Sequence, residues 1–405
     1  PPLPSGASVQ TYEQATALRA SAIDRADYRA AVEIFDTVSR QWIDNVPALV
    51  GLGIAQSEIG NYGTAIALFS YACGLRNDIP GCWANLGAAL RKAGHTDYAR
   101  RALDRALQLD PNDGTVLGNM AGTYVNTGDP QPGVDYGKRA CELDPQNMSN
   151  FNNTALCLME QGKWAEAWPY WRKRLHTAGY KQRDYPGRRW EGEEVGSLVV
   201  HGEQGLGDEV MFLGCMPDVF PRVRGRVVIE VAPRLVTLMA AAFPEAEVIG
   251  RPEDFKGDAE AWIAMGDLPE LCNGGVPPKR SGYMKARAGN TALKGAVLLA
   301  FKGGTHRTHE VLRNPPVEAW KPIVDAIKRS GRTPLSIQYG KGGEEKAQEL
   351  GIEHLKLAAD DLDEQVAAIA SADMLISVQQ TALHFGGALG KPVVGIISDM
   401  PAWRY

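Results

Sequence analysis

The sequence lacks three features that would mark a specialised class of protein. Its longest apolar runs, such as 295–301 and 392–397, fall far short of the ~20 residues that a membrane helix needs. Its six cysteines form no Cys-x-x-Cys pair, so we expect buried, reduced thiols in a cytoplasmic protein. Its 43 Lys and Arg against 48 Asp and Glu give a formal charge of −5, without the basic excess typical of nucleic-acid binding. We therefore predict no membrane span and no nucleic-acid partner.

The composition that is present is that of a globular protein. Hydrophobic residues make up 44% of the chain and charged residues 22%, which excludes a disordered chain. A length of 405 residues predicts two to four domains.

A repeat of 34 residues occupies the first part of the sequence. Gly60, Gly94, Gly128 and Gly162 are spaced by this period, and Ala31 extends a column of small residues backwards to a fifth repeat. Further columns share the period: Ala65, Ala99, Gly133 and Ala167; Ala72, Ala106 and Ala140; and Leu49, Trp83, Leu117 and Phe151. The spacing predicts pairs of amphipathic helices, such as 80–93 and 96–109. The pattern resembles the tetratricopeptide repeat and predicts a helical superhelix over residues 11–177, with about five repeats.

Asparagines lie near the positions that face the groove of such a superhelix. The candidates are Asn85, Asn119, Asn152 and Asn153. An asparagine side chain can donate to and accept from a peptide backbone at once, so these residues are candidate peptide ligands. The alternative, that each is a solvated polar position, remains open.

An α/β region follows the repeats. Residues 178–196 lose periodicity and are predicted to form a linker. Beyond it, short β-branched runs alternate with helical stretches, which predicts two Rossmann-like halves with parallel sheets over 197–285 and 290–405. The predicted strands are 198–201, 226–231, 247–249, 261–264, 297–301, 334–338, 374–378 and 393–397. Two such halves enclose a cleft, and ligands bind outside the carboxyl ends of their strands.

The first candidate motif, residues 201–208, follows a predicted strand. Its glycines allow a tight turn and the close approach of a ligand. Asp208 is a candidate general base, and its alternative role is to cap a helix over 209–216. The loop on this predicted acceptor side comprises Glu203, Gln204, Gly205 and Gly207.

The second candidate motif, residues 301–310, also follows a predicted strand. Gly303 and Gly304 can form an anion-binding nest, and the cations of this motif can neutralise a diphosphate leaving group. The candidate phosphate-binding residues are Lys302, Gly303, Gly304, Thr305, Arg307 and Arg313. His306 and His309 lack the further ligands of a metal site, so no metal or other cofactor is expected.

The third candidate motif, residues 377–390, leads from a strand into a helix whose first amides can hold a phosphate or a ribose. Its candidate donor-site residues are Gln379, Gln380, Thr381 and His384. For His384, a packed and hydrogen-bonded role is an equal alternative.

Together with 209–212, 338–340 and 401–405, the three motifs resemble a bacterial and phage family that fuses tetratricopeptide repeats to a glycosyltransferase domain of the GT-B type. The domain is similar to lipopolysaccharide heptosyltransferases, and the layout is similar to protein O-linked N-acetylglucosamine transferases. The resemblance implies that Asp208 is the base and that Lys302 or Arg307 serves the donor phosphates. Heptosyltransferases carry Asp-Thr where this chain has Gln379-Gln380, a departure that argues against a heptose donor.

The sequence therefore predicts an inverting, metal-independent glycosyltransferase. Its substrates would be a nucleotide sugar and a protein recruited by the repeats. The alternative is a non-catalytic scaffold with a degenerate GT-B domain, and an oligomer is compatible with either.

Overall fold

The computed structural model describes residues 44–176, 185–251, 257–276, 281–286, 293–303, 314–338, 342–357 and 361–397, with a few isolated positions. The chain divides into two compact units, Pro1–Gln182 and Arg183–Tyr405. Most of the predicted fifth repeat around Ala31 lies outside the described residues.

The described part of the first unit is built from helical hairpins. Each first helix packs against the second helix of its own pair and against the next repeat. The helices are α1 (Val46–Glu58), α2 (Tyr62–Leu75), α3 (Pro80–Lys92), α4 (Thr96–Leu109), α5 (Gly114–Gly122), α6 (Gln131–Leu143), α7 (Met148–Glu160) and α8 (Trp164–Trp171).

The periodic glycines lie between the two helices of each pair. Gly60, Gly94, Gly128 and Gly162 have φ angles of 87°, 86°, 76° and 71°. Nothing lies within 4 Å of a Cβ added to Gly94. The left-handed backbone, rather than crowding, therefore requires glycine at this position.

The columns of small residues lie where the two helices of a pair meet. Ala65, Ala99 and Ala167 are fully buried. A Cβ added to Gly87 of α3 would lie 2.5 Å from Leu103 Cγ of α4. The prediction that small residues allow close helix packing is confirmed.

A column of polar residues joins successive repeats. Lys92 Nζ donates to Glu58 Oε1 at 3.0 Å, and these residues are one period apart. Two periods after Lys92 in the same column, the Glu160 carboxylate accepts hydrogen bonds from the Asn126 and Gly128 amides at 2.7 and 2.8 Å. The column therefore joins two pairs of neighbouring repeats.

The second unit contains two parallel five-stranded sheets among the described residues. The strands are β1 (Arg188–Arg189), β2 (Leu198–His201), β3 (Val227–Val231), β4 (Glu247–Gly250), β5 (Ala261–Ala264), β6 (Ala296–Ala300), β7 (Thr333–Ser336), β8 (Glu353–His354), β9 (Met374–Val378) and β10 (Val393–Ile396). Their orders in the two sheets are β1-β5-β2-β3-β4 and β10-β9-β6-β7-β8.

Helices connect these strands in α/β alternation. They are α9 (Leu206–Leu213), α10 (Met216–Val219), α11 (Val236–Ala242), α12 (Leu268–Leu271), α13 (Val317–Arg329), α14 (Gly343–Glu349), α15 (Leu362–Ser371) and α16 (Thr381–Ala388). All eight predicted strands are present, with boundaries that differ by at most two residues. The central strands β2, β3 and β6 are buried along their whole length, as their apolar sequences predict.

The second half of the predicted linker belongs to the sheet instead. Arg188–Arg189 pairs with β5 as a parallel edge strand. Trp190 beside it is fully buried, and its Nε1 donates to the Glu193 carbonyl at 2.7 Å. The prediction was wrong here because an edge strand of two arginines has the composition of a loop.

All six cysteines are free and buried, as expected for structural thiols. Burial raises the pKa of both the Cys73 and Cys157 thiols to about 12, which makes them poor nucleophiles. Among the residues described, no helix is long and apolar enough to cross a membrane.

Candidate functional site

In each sheet, the order in which successive strands are added reverses at one strand. In the first sheet, β3 and β4 lie on one side of β2, and β5 lies on the other. In the second, β7 and β8 lie on one side of β6, and β9 and β10 lie on the other. The crevices between β2 and β5 and between β6 and β9 are therefore the preferred ligand sites of the two sheets.

The loop after β2 is held by side chains from neighbouring strands and loops. The Glu203 carboxylate accepts a hydrogen bond from the Gly266 amide, which follows β5, at 3.0 Å. Arg251 donates to the Gln204 carbonyl at 3.3 Å. Gly202 N donates to the Glu230 carbonyl at 2.8 Å. The predicted acceptor-side loop is thus fixed across the first crevice.

Asp208 lies in the first turn of α9, where the helix dipole favours a carboxylate. The helix begins at Leu206 and its N-cap is Gly205. The alternative that Asp208 caps the helix is therefore wrong, because the helix starts two residues before it. Asp208 is half-buried, and its Oδ2 would lie 3.5 Å from a Cβ added to Gly205.

Lys302 and Gly303 follow β6 at the second crevice. The Lys302 side chain is exposed, while its amide donates to Gln338 Oε1 at 2.7 Å. The Gly303 amide donates to Asn314 Oδ1 at 2.8 Å. These two amides hold side chains and not an anion, in contrast to the predicted nest at Gly303. A side chain at Gly303 would overlap the Gln379 carbonyl, so the loops after β6 and β9 are in close contact.

Gln379 and Gln380 follow β9 and are buried between these loops. Within the described part of the chain, Gln379 Nε2 and both polar side-chain atoms of Gln380 have no hydrogen-bond partner. Thr381 begins α16, whose N-cap Gln380 provides no side-chain hydrogen bond. The start of this helix therefore leaves polar groups for which the described protein offers no partner.

The two crevices are joined because α9 packs against α16. A Cβ added to Gly207 of α9 would lie 2.8 Å from His384 Cδ2 and 3.4 Å from Thr381 Cα. His384 is thus packed against the first turn of α9, which contains Asp208. The contact brings the predicted acceptor-side and donor-side motifs together.

Residues 281–286, at the predicted boundary between the halves, contact both of these helices. The Tyr283 hydroxyl donates to the Val210 carbonyl of α9. The Gly282 and Met284 amides donate to the Gly387 and Ala388 carbonyls of α16 at 3.3 and 2.9 Å. We call residues 281–286 the connecting strap.

Lys346 is a further cation near this site that the sequence analysis missed. Its ammonium lies 5.8 Å from the centroid of the Phe301 ring and donates to the Pro315 carbonyl at 3.1 Å. Burial lowers the pKa of Lys346, and the nearby charge of Lys302 lowers it further. In the sequence, only the glycine pair at 342–343, which follows the predicted strand 334–338, could have drawn attention to Lys346 as a candidate site residue.

Several predicted donor-site residues lie outside the described residues. They are Gly304, Thr305, Arg307 and Arg313, together with His306 and His309.

In the first unit, a polar cavity of about 450 Å³ lies between the first helices of three consecutive repeats, α3, α5 and α7. We call it the repeat cavity. Of the four predicted groove asparagines, Asn119, Asn152 and Asn153 line it. Asn85 is not among its lining residues, and its Nδ2 donates to the Gly81 carbonyl of its own helix at 2.8 Å. The lining residues are Arg91, Thr115, Gly118, Asn119, Asn147, Ser149, Asn150, Asn152 and Asn153.

Comparison with known proteins supports the assignment of the first unit. Residues 80–113 match the tetratricopeptide repeat family. Protein FlbA of Caulobacter vibrioides is 25% identical over 407 residues, which cover 89% of this chain and 67% of FlbA. The protein CTR9 homolog of Arabidopsis thaliana is 31% identical over 132 residues, 31% of this chain and 12% of that protein.

Solved structures match less than half of this chain. A thermophilic TPR protein of Thermus thermophilus is 19% identical, covers 42% of this chain and 92% of its own, and has a TM-score of 0.37. MamA is 18% identical, covers 43% and 95%, and has a TM-score of 0.35. The family match at residues 80–113 shows that the chain contains tetratricopeptide repeats, a class of scaffold that binds peptides or proteins. The chain is also homologous to FlbA over both units.

Proposed function

We propose that the protein is a glycosyltransferase of the GT-B type that transfers a sugar from a nucleotide sugar to a protein bound by the repeats. The observation that carries this proposal is the packing of α9 against α16. This packing brings Asp208, which follows β2 at the crevice of the first sheet, close to the crevice between β6 and β9 of the second sheet. A transferase that joins two substrates requires such an arrangement, with one substrate on each sheet.

Asp208 would act as the general base. Its carboxylate would take the proton of an acceptor hydroxyl, and the hydroxyl oxygen would then attack the anomeric carbon. The bond between that carbon and the phosphate oxygen breaks, and the nucleoside diphosphate leaves with the electron pair. Attack from the face opposite the leaving group inverts the configuration of the anomeric carbon.

Cations and amides on the second sheet would stabilise the leaving diphosphate. Lys302 and Lys346 carry positive charge near the end of β6, and the first turn of α16 supplies amides at Thr381. The buried carboxamides of Gln379 and Gln380 would orient the donor. Because glutamine carries no charge, binding of the donor at positions 379 and 380 would not depend on a carboxylate or on a metal ion held by one.

A non-catalytic scaffold is the second candidate. It is favoured by the Lys302 and Gly303 amides, which already donate to Gln338 and Asn314. A scaffold would retain partner binding by the repeats and would bind no nucleotide.

Thermal unfolding of the full chain with UDP, GDP, ADP, CMP or dTDP tests the proposal. A nucleotide at 100 times its dissociation constant adds about 2.7 kcal/mol to the stability of the folded state. We expect one of them to raise the Tm of the wild type by several degrees and to raise that of Lys302→Ala much less.

Lys328→Ala is the matched control. Lys328 lies in the last turn of α13, at the opposite end of that helix from the candidate site, and donates to the Gly351 carbonyl. This variant should respond to the nucleotide like the wild type. If no nucleotide shifts the wild type, the scaffold is the better explanation.

A further inference from the structure

We propose that the repeat cavity binds an extended peptide by an internal Asp or Glu side chain, which pairs with Arg91. This proposal goes beyond sugar transfer and applies equally to an enzyme and to a scaffold. It concerns which peptides the first unit selects.

Arg91 is a cation without a counter-ion among the residues that the structure describes. It lies in the last turn of α3, lines the cavity, and its Nε is buried without a hydrogen-bond partner. Its side chain makes no ion pair or hydrogen bond with any described residue. A guanidinium cannot lose its charge in a protein, so its desolvation is unfavourable until an anion pairs with it.

The rest of the lining is uncharged. It consists of asparagine, serine, threonine and glycine, and none of the described lining residues is acidic. Arg91 therefore makes the electrostatic potential in the cavity positive. An incoming carboxylate would meet one cation and no competing anion, whereas a lysine side chain would be repelled.

The asparagines favour a peptide over a lone anion. Asn119 and Asn152 are half-buried and make no side-chain hydrogen bond with another described residue. Asn153 uses its Nδ2 on the Gly118 carbonyl at 2.9 Å, and its Oδ1 can still accept. Carboxamides can bind the N–H and C=O groups of a peptide backbone on either side of the acidic residue.

The size and construction of the cavity also fit a peptide segment. A volume of about 450 Å³ is in the range of pockets that hold a whole small ligand, well above what one carboxylate needs. Asn150 forms its wall and donates to the Gly114 and Ala140 carbonyls, both at 3.3 Å. A side chain at Gly118 would overlap Asn150, so the wall is fixed. A rigid cavity across three repeats suits a chain that continues past it, which favours an internal acidic residue over a C-terminal carboxylate.

Fluorescence anisotropy with pools of labelled nonapeptides tests this proposal on the full chain. Each pool carries a fixed central Asp, Asn or Lys, random residues elsewhere and an amidated C-terminus. We expect the Asp pool to bind about tenfold or more tightly than the Asn pool, the effect of a hydrogen bond to a charged group. The Lys pool should bind weakest.

Arg91→Gln should abolish the preference for Asp without lowering the Tm, because it removes an unpaired cation. Arg101→Gln is the control, since Arg101 is an exposed arginine on α4 outside the cavity. Equal binding of the Asp and Asn pools to the wild type would overturn the proposal. So would equal effects of the two substitutions, or tighter binding of an otherwise identical Asn pool with a free C-terminal carboxylate than of the amidated Asp pool.

Discussion

At the scale of residues, two adjacent carboxyl groups of α9 have opposite environments. Asp208 is half-buried in the first turn, whereas Glu209 is buried beneath it. Glu209 accepts hydrogen bonds from Arg251 and from the Ala232 amide, the latter at 2.8 Å. Through Arg251, which also binds the Gln204 carbonyl, Glu209 holds the acceptor-side loop. Asp208 could be predicted from its motif, but the role of Glu209 depends on burial, which the sequence does not reveal.

Glu209 should make stability depend on pH. Burial raises the pKa of Glu209 to about 7 from its ordinary value of 4.5, and the Ala232 amide and Arg251 only partly oppose this. Between these pH values the folded state binds more protons than the unfolded state, so stability falls as pH rises. Relative to Glu209→Gln, the wild type should lose up to about 3 kcal/mol from pH 5 to pH 8.

Urea unfolding of both proteins at several pH values measures this difference. The comparison with Glu209→Gln removes the contribution of other titrating groups, which are present in both proteins. Parallel stability curves would show that Glu209 is ionised throughout the range.

At the scale of elements, the repeat period determines both helix ends and helix contacts. The glycine column supplies a left-handed residue between the two helices of each pair. The polar column joins neighbouring repeats at two places, Glu58 with Lys92 and Asn126 with Glu160. In such arrays each repeat is stabilised mainly by its neighbours. Damage to one turn should therefore weaken the hairpins on both sides of it.

Gly94→Ala should destabilise the first unit by about 1–2 kcal/mol, the cost of a left-handed residue that carries a Cβ. Gly74→Ala, in the last turn of α2, should instead be neutral or stabilising by up to about 1 kcal/mol. Neither added Cβ meets an atom within 4 Å, so the pair isolates backbone conformation from packing. Thermal unfolding of both variants checks this, and changes of the same sign would contradict it.

The sequence predicted elements well where a period or an apolar run repeated. The helices 80–93 and 96–109 agree with α3 and α4, and the prediction for β9 matches in full. The edge strands β1 and β8 have two residues each, which is too short for any alternation to appear.

The helix start at Leu206 was missed because its N-cap is Gly205, which has no capping side chain. Lys346 was missed because its proximity to Lys302 arises only when β6 and β7 pair.

At the scale of the whole molecule, the two proposed functions belong to different units: peptide binding to the repeat cavity of the first and general-base catalysis to Asp208 of the second. Asp208→Asn should separate these activities. Hydrolysis of the sugar nucleotide, with water as acceptor, should slow by about 10²–10⁴-fold, the usual contribution of a general base. The nucleotide-induced Tm shift and the binding of acidic peptides should remain.

Asp258→Asn is the control for this experiment. Asp258 is an exposed carboxylate of the same half, outside the candidate site. Equal hydrolysis rates for the wild type and Asp208→Asn would remove Asp208 from the mechanism.

The connecting strap has a consequence for motion. It is bonded to α9 by the Tyr283 hydroxyl and to α16 by the amides of Gly282 and Met284, so separation of α9 from α16 must break the bonds on one side of the strap. When the bonds to α16 break, the amide hydrogens of Gly282 and Met284 can exchange with deuterium. Their exchange rate then measures how often the cleft between the halves opens. If release of the nucleoside diphosphate requires that opening, the exchange rate of these amides and the turnover rate will depend on the same free-energy barrier.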